Sequence, residues 1–410
     1  MDSPSVLLTD GDMRVTLPVL RSLARKGIET VVAATHPKAI SFFSKYCKRR
    51  ALYPSSRENL GYFLKGMRSV VQRTKCDMIF PVGEWTLIPI SEHRDEVCRD
   101  IAFPWVGHET ILKTFDKSKT IALAEKEGVP TPKSVIPHSI QELEEVAHKI
   151  SYPAVIKPRW SWVWVDDKAV FRRPSYVNTP SELVSEYKTV HEDFPFPLVQ
   201  EYIPGKTFDV AAILSHSNPR TVCCIEEHRA HPITGGYSSF RESDKLDPKM
   251  RDYALRLFKA LEWHGVGEVE FKLDPRDGVP KLMEIIGRFW GSLEVAIAAG
   301  IDFPYLFYRL AVDGDIKPVF DYEVGVKRRW FEGDILHLTS VLRKEATKGV
   351  ERPERWHTIK EFLKFYQANM SYDCFYREDP LPFISNLFYG EIPGIVTRKI
   401  ERTINKLKAQ

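Results

Sequence analysis

The chain lacks paired cysteines, long apolar runs and any strong excess of one charge. Its six cysteines lie at 47, 76, 98, 223, 224 and 374, with no C-x-x-C pair and no ladder of spacings. That usage fits a reducing compartment and thiols that are buried or incidental, and it excludes a disulfide framework. No apolar run reaches the roughly 20 residues needed to cross a bilayer, and the N-terminus has neither a basic n-region nor an apolar h-region. A cytoplasmic protein is expected. A formal charge of +4 and a pI of about 8.5 are mild for 410 residues, so nucleic acid is not indicated. There is no internal repeat and no low-complexity segment. What is present is ordinary for a soluble globular protein of two or three domains, with 43% hydrophobic and 28% charged residues.

Ser5 to Thr9 reads as a short strand, followed by the acidic turn Asp10-Gly11-Asp12 and a helix with Leu17, Leu20, Leu23 and Ala24 on one face. Another strand ends near Ala34, an amphipathic helix carries Leu60, Phe63, Leu64, Met67, Val70 and Val71, and Asp77 to Pro81 is the next strand. This βαβ alternation predicts an open α/β domain over residues 1–112. The first turn has no G-x-G-x-x-G, so it is not a dinucleotide site. A helix from about Ser118 stops at Gly128 before Pro130 and Pro132. The strand Ala154 to Lys157 then ends in a lysine at a loop mouth, and Trp160, Trp162 and Trp164 follow at alternate positions. That spacing suits either aromatic packing or stacking on a ligand.

From Gly265 to Ser292 the chain reads GVGEVEFKLDPRDGVPKLMEIIGRFWGS. Alternation makes two strands about a turn at Asp274 to Pro280. Folding them about Asp277 sets Leu273 opposite Lys281, Phe271 opposite Met283 and Glu270 opposite Glu284. Two carboxylates facing across a ladder, with Cβ atoms roughly 5 Å apart, repel each other and call for a cation between them. A solvated edge hairpin is the alternative. Near the C-terminus, Val396, Ile400, Ile404 and Leu407 share one face beside Arg398, Lys399, Arg402 and Lys406. Such a helix either packs on its own protein or lies on a membrane surface.

Four features fall in one order: Asp116-Lys117 before a helix ending G-V-P-T-P, the strand P-A-V-I-K-P, the connector Q-E-Y-I-P-G, and a strand pair ending E-I-I-G-R-F-W-G-S. In this order they resemble the ATP-grasp superfamily of ligases, in particular a predicted carboligase branch similar to carbamoyl phosphate synthase and biotin carboxylase. The resemblance implies an open α/β pre-ATP-grasp domain (1–112), an ATP-grasp domain (113–315) and a mostly helical C-terminal extension (316–410). It implies ATP and Mg²⁺ as cofactors, with Lys117 and Lys157 on phosphate oxygens and Gln200, Glu201 and Ile203 at the adenine. Asp209 would reach the ribose, Glu270 and Glu284 would hold the metal, and Arg288 would face the transferred phosphoryl group. His228, Arg229, Gly235 and Gly236 would line the acceptor side. The partners implied are a small-molecule carboxylate and an amine or other nucleophile, and a homo-oligomer is left open.

The chain departs from the superfamily's pattern at two places. Where a glycine-rich loop usually covers the phosphates it has three tryptophans and no glycine, and Ile286 stands where an asparagine oxygen normally meets a second metal. One metal ion, or a weakened second site, is therefore expected. An ATP-dependent ligase is the activity implied; the alternative is a catalytically reduced ATP-grasp protein acting as a nucleotide-binding regulatory or scaffold module.

Overall fold

The computed structural model of the protein describes residues 3–166, 168–344, 350 and 352–390. The amphipathic stretch Val396 to Leu407 lies outside them.

The first domain is a four-stranded sheet in the order β3-β2-β1-β4, formed by β1 (Val6–Leu8), β2 (Thr30–Ala34), β3 (Arg49–Leu52) and β4 (Met78–Phe80). All its pairings are parallel. Parallel pairing needs crossovers, and the helices α1 (Thr16–Arg25) and α2 (Leu60–Thr74) supply them. The apolar faces anticipated for both helices are buried, α1 through Leu17, Leu20 and Leu23 and α2 through Phe63, Leu64, Met67, Val70 and Val71. Helices α3 (Glu84–Glu92) and α4 (Arg94–Val97) follow, then α5 (His108–Phe115). Residue 112, the expected domain boundary, therefore falls inside a helix.

Asp116 caps α6 (Lys117–Lys126), accepting from the backbone N–H groups of Ser118 and Lys119. A small sheet in the order β5-β10-β6-β9 then forms from β5 (Ser134–Val135), β6 (Ala154–Lys157), β9 (Ser175–Val177) and β10 (Leu198–Glu201), with every pairing antiparallel. Helices α7 (Ile140–Lys149) and α8 (Pro180–Asp193) cover one of its faces through Leu143, Val146, Leu183, Tyr187 and Val190. Between β6 and β9 a separate hairpin stands out, β7 (Trp162–Val165) with β8 (Lys168–Phe171).

The second sheet has seven strands in the order β15-β14-β11-β12-β13-β16-β17. They are β11 (Thr207–Ser215), β12 (Asn218–His231), β13 (Tyr237–Asp244), β14 (Gly265–Asp274), β15 (Val279–Ile286), β16 (Lys327–Arg329) and β17 (Met370–Tyr372). Period-two alternation divides its residues between two cores. Phe208, Val210, Ala212 and Leu214 pack under α9 (Pro248–Ala260), which turns in Met250, Ala254, Leu257 and Phe258. Ala211, Ile213, Cys223, Ile225 and Val266 face the other way, into a core shared with the first domain, α10 (Leu293–Ala298) and α11 (Phe303–Asp313). Each fully buried large side chain there contributes about 1.5–3 kcal/mol relative to exposure. Gly205, in the connector from β10 to β11, has φ +107°, and a Cβ on it would sit 2.2 Å from the Leu273 carbonyl oxygen. Only glycine allows that approach.

The C-terminal extension is not purely helical. It adds β16 and β17 to the large sheet alongside α12 (Phe331–Leu342), α13 (Arg355–Phe362) and α14 (Leu381–Tyr389). Buried ion pairs dock it on the first domain. Asp373 meets Arg14 at 2.5 Å and also pairs with Arg241, while Asp379 meets Arg21 at 2.8 Å and accepts from Ser44 Oγ at 2.7 Å. Burial alone would raise the Asp373 carboxyl, but the guanidinium groups of Arg241, Arg14 and Arg328 outweigh it and hold the group below its ordinary value.

Candidate active site

The shared face of the large sheet changes character along its strands. On β11, Ala211 and Ile213 lie in the core, while Asp209 on the same face lies beside Glu270 of the neighbouring strand. Glu268, Glu270 and Lys272 follow Val266 along β14, and Glu227 follows Ile225 along β12. An apolar face thus becomes an ionic one where the large sheet leaves the first domain and meets the small sheet.

The register of the β14–β15 hairpin places Glu270 opposite Glu284. The neighbouring pairs differ from the simple fold about Asp277, because Phe271 faces Leu282 and Leu273 faces Pro280. A β-bulge accounts for the difference: Met283 has no opposite residue, and the register slips by one between Glu270 and Phe271. The slip has a use. Leu282 and Glu284 are two apart and would share a face on a regular strand, yet Leu282 is in the core under α9 and Glu284 stands opposite Glu270. Ile286 faces Glu268 across the ladder and packs, half-buried, against the core shared with the first domain.

The two sheets enclose a cleft lined by Lys117, Lys157, Leu198, Gln200, Leu282, Met283 and Glu284, so residues far apart in the chain converge. Lys157 ends β6 and Gln200 lies on the adjacent β10. The Lys117 ammonium is 3.8 Å from a Glu284 carboxylate oxygen and donates to Ser161 Oγ at 3.0 Å. Gln200 is buried and donates from Nε2 to Ser134 Oγ at 2.9 Å. The Glu201 carboxylate is engaged by the Lys133 backbone N–H at 2.9 Å, Arg276 at 3.2 Å and Lys281 at 3.8 Å. Ile203 is buried, and its carbonyl accepts from Lys272 Nζ at 3.3 Å. Arg288 reaches Glu84 of the first domain at 3.5 Å and donates to the Phe289 carbonyl at 2.8 Å.

Other anticipated residues stand elsewhere. Asp209 belongs with the carboxylates rather than with the connector residues; Ser292 Oγ lies 3.2 Å from it and 3.2 Å from Glu268. His228 sits with Glu226 and Glu242, at 3.6 and 3.1 Å, on the face opposite Glu227. Arg229 is committed to Asp334 of α12 by two hydrogen bonds of 2.6 and 3.0 Å and lies over the Phe240 ring. Gly235 and Gly236 occupy the turn between β12 and β13, where Tyr176 of the small sheet donates to the Thr234 carbonyl. That turn touches the small sheet through Tyr176, which sequence reasoning missed. Glu84, Ser161 and Lys272 were missed as well. Lys272 alternates in phase with Glu268 and Glu270, which was a usable signal.

Electrostatics reflect the crowding. Burial raises the Glu270 carboxyl, the facing Glu284 raises it further, and the ammonium groups of Lys157, Lys272 and Lys117 pull back, leaving it at about 7. Lys157 is brought down to about 8, first by burial and then by Lys117, against the opposing pull of Glu270 and Glu284. Asp209, Glu227 and Glu268 are pushed well up by burial and by neighbouring carboxylates. A carboxylate raised to about 7 by burial and by a facing carboxylate is a group that an added cation would relieve. Among the described residues no group of three or more His, Cys, Asp or Glu side chains is set to hold a metal by itself. The donor set fits Mg²⁺, which is commonly held by one or two carboxylates and completed by phosphate oxygens and water.

Two facing sheets with a lysine from each side of the cleft and a carboxylate pair on the larger sheet define an ATP-grasp architecture. Comparison with known proteins agrees. Residues 193–333 match the family described as ATP-grasp in the biosynthetic pathway with Ter operon. The N-terminal section of the carbamoyl phosphate synthase large chain of Methanopyrus kandleri is 23% identical over 291 residues, covering 68% of this chain and 50% of that one. The D-alanine–D-alanine ligase of Pelotomaculum thermopropionicum is 26% identical over 235 residues, 52% of this chain and 71% of that one. Among solved structures, the biotin carboxylase domain of Hydrogenobacter thermophilus 2-oxoglutarate carboxylase, in complex with MgADP, ADP and bicarbonate, superposes with a TM-score of 0.63 at 16% identity, over 80% of this chain and 74% of that one. The family match, these relatives and the shared fold together support an ATP-grasp superfamily member. It spans between 20% and 50% of the length of the carbamoyl phosphate synthase chains it matches. No described helix is long and apolar enough to cross a membrane.

Proposed function

We propose that the protein is an ATP-dependent carboxylate ligase. The observation that carries this reading is the convergence of Lys117, Lys157 and Gln200 with the facing pair Glu270 and Glu284 in one cleft. The two ammonium groups suit phosphate oxygens as point charges. The buried connector through Gln200, Glu201 and Ile203 suits an adenine edge, with Glu201 contributing through its backbone because its carboxylate is already engaged. Glu270 and Glu284 would hold Mg²⁺, which supplies charge neutralisation at bridging phosphate oxygens when bound.

A carboxylate is a poor electrophile, so the chemistry needs a leaving group on it. In the proposed reaction a substrate carboxylate oxygen attacks the γ-phosphorus and ADP leaves, giving an acyl phosphate. An amine or other nucleophile then attacks the carbonyl carbon, the C–O bond to phosphate breaks, phosphate leaves and the nucleophile loses its proton. Arg288 is the group available to the phosphoryl oxygens, since its guanidinium matches them in charge and geometry and its ion-pair partner among the described residues, Glu84, is loosely held at 3.5 Å. The substrates are small molecules in this reading. Weight from outside the chain comes from the D-alanine–D-alanine ligase relative and from the MgADP-bound neighbour.

The test is phosphate release from Mg-ATP over pooled amino acids, small carboxylates and amines. Release that depends on a carboxylate and acceptor pair is expected. A protein that binds ATP yet releases no phosphate with any pool would contradict the ligase reading. One observation favours a second reading, a nucleotide-binding module without turnover: Ile286 presents hydrocarbon next to Glu284, packed into a core, where a further metal ligand would stand. An empty screen with intact Mg-dependent ATP binding is its signature.

A further inference from the structure

The hairpin of β7 and β8 follows Lys157 directly and is anchored at both ends. At its base, the Lys117 backbone N–H donates to the Arg159 carbonyl at 3.0 Å, the Lys117 ammonium donates to Ser161 Oγ at 3.0 Å, and Arg159 pairs with Asp116 at 2.6 Å. The base therefore lies against the lysine that meets Glu284. Its far side reaches the first domain. Trp162 is buried and stacks on Trp85, with ring centroids 4.3 Å apart and planes at 28°, while Trp164 meets Trp162 edge-on at 4.4 Å. Two hydrogen bonds fasten the same contact, Trp164 Nε1 to the Ser56 carbonyl and the Ala169 N–H to the Arg57 carbonyl, both 2.9 Å. Trp85 is the second residue of α3, and the residue before it, Glu84, is the one that reaches Arg288.

We propose that Trp85 is a positioning residue for the nucleotide site: its stack on Trp162 latches the β7–β8 hairpin to the first domain across the cleft, and nucleotide enters and leaves when that stack opens. The proposal rests on the nucleotide reading of the cleft. A loop rich in glycine covers phosphates by wrapping backbone amides around them; this hairpin has no glycine and is instead held in place from the first domain by aromatic packing. The turn that holds it also holds Arg288 through Glu84. Closure of the hairpin and orientation of the arginine thus share one support.

The experiment is stopped-flow binding of a fluorescent ADP with Mg²⁺ to the full chain, comparing the wild type with Trp85→Ala and Trp85→Phe. A latch limits traffic in both directions, so Trp85→Ala should raise the association and dissociation rate constants together, about fivefold each for the loss of one aromatic pair, and leave Kd within about twofold. Trp85→Phe keeps a ring and should fall near the wild type. A variant that is merely damaged would raise dissociation alone, and that result, or unchanged rates, would overturn the latch. Hydrogen exchange without nucleotide is the second arm. The Ala169 amide and its neighbours should exchange faster in Trp85→Ala, and unchanged exchange also overturns the proposal. If the wild type binds no nucleotide at all, the reading of the cleft fails, and the exchange arm still decides whether Trp85 holds the hairpin.

Discussion

Replacing Glu270 by glutamine should make the empty protein more stable at alkaline pH. The Glu270 carboxyl titrates at about 7 in the folded protein, against an ordinary 4.5. Below pH 4.5 the group is protonated in folded and unfolded chains alike and carries no penalty. As the pH rises through that window the unfolded chain releases its proton first, and above 7 the folded carboxylate bears the whole cost. A shift of roughly 2.5 units corresponds to about 3.4 kcal/mol. Partial solvent contact at the cleft and the loss of a counter-charge for Lys157 trim this to about 2 kcal/mol. For a chain of 410 residues that is a rise of about 2–3 °C in Tm. Thermal melts in EDTA at pH 8 and pH 4.5 provide the assay, with the gain present at the first and nearly absent at the second. A variant that melts lower than the wild type at pH 8, or a difference that ignores pH, would refute the electrostatic account of the pair.

Other outcomes follow from the same structure. Mg-nucleotide affinity should peak between pH about 7, above which Glu270 is ionised, and pH about 8, beyond which Lys157 loses its proton; calorimetry from pH 6 to 9 checks both limbs. Asp373→Ala strips the buried Arg241 and the half-buried Arg14 of their shared counter-charge and should destabilise the fold by about 3 kcal/mol, read by denaturant melts. Arg288→Lys keeps the charge and loses the planar fork. It should lower ligase turnover about 100-fold with nucleotide affinity unchanged, measured with a substrate pair found by phosphate release.

How far the structure could be read from the sequence depended on the range of the interaction concerned. Helices α1, α2 and α9 carry their periodicity locally, and the Glu270–Glu284 opposition followed from alternation about a turn. The bulge at Met283 did not, because an extra residue leaves no trace in a pattern of apolar and polar positions; its effect is to move Leu282 and Glu284 to different faces. The side on which His228 stands was not legible for a related reason. Register slips in β12 beyond Glu227 decide which side each residue faces, and they place His228 with Glu226 and Glu242. Arg229 looked available as a substrate ligand until Asp334, 105 residues away, was seen to occupy it. The tryptophan run was visible as a face of indoles, but its partner Trp85 lies in another domain, and no spacing rule joins the two.

The most direct measurement of the central claim is calorimetric titration of ATP into the full chain, with and without Mg²⁺, for the wild type and Glu284→Ala. If the facing carboxylates hold a phosphate-bridging cation, the wild type binds ATP more tightly with Mg²⁺ than without, and that gain disappears in Glu284→Ala. ATP affinity that is the same with and without Mg²⁺, or a magnesium effect that survives the substitution, would contradict it.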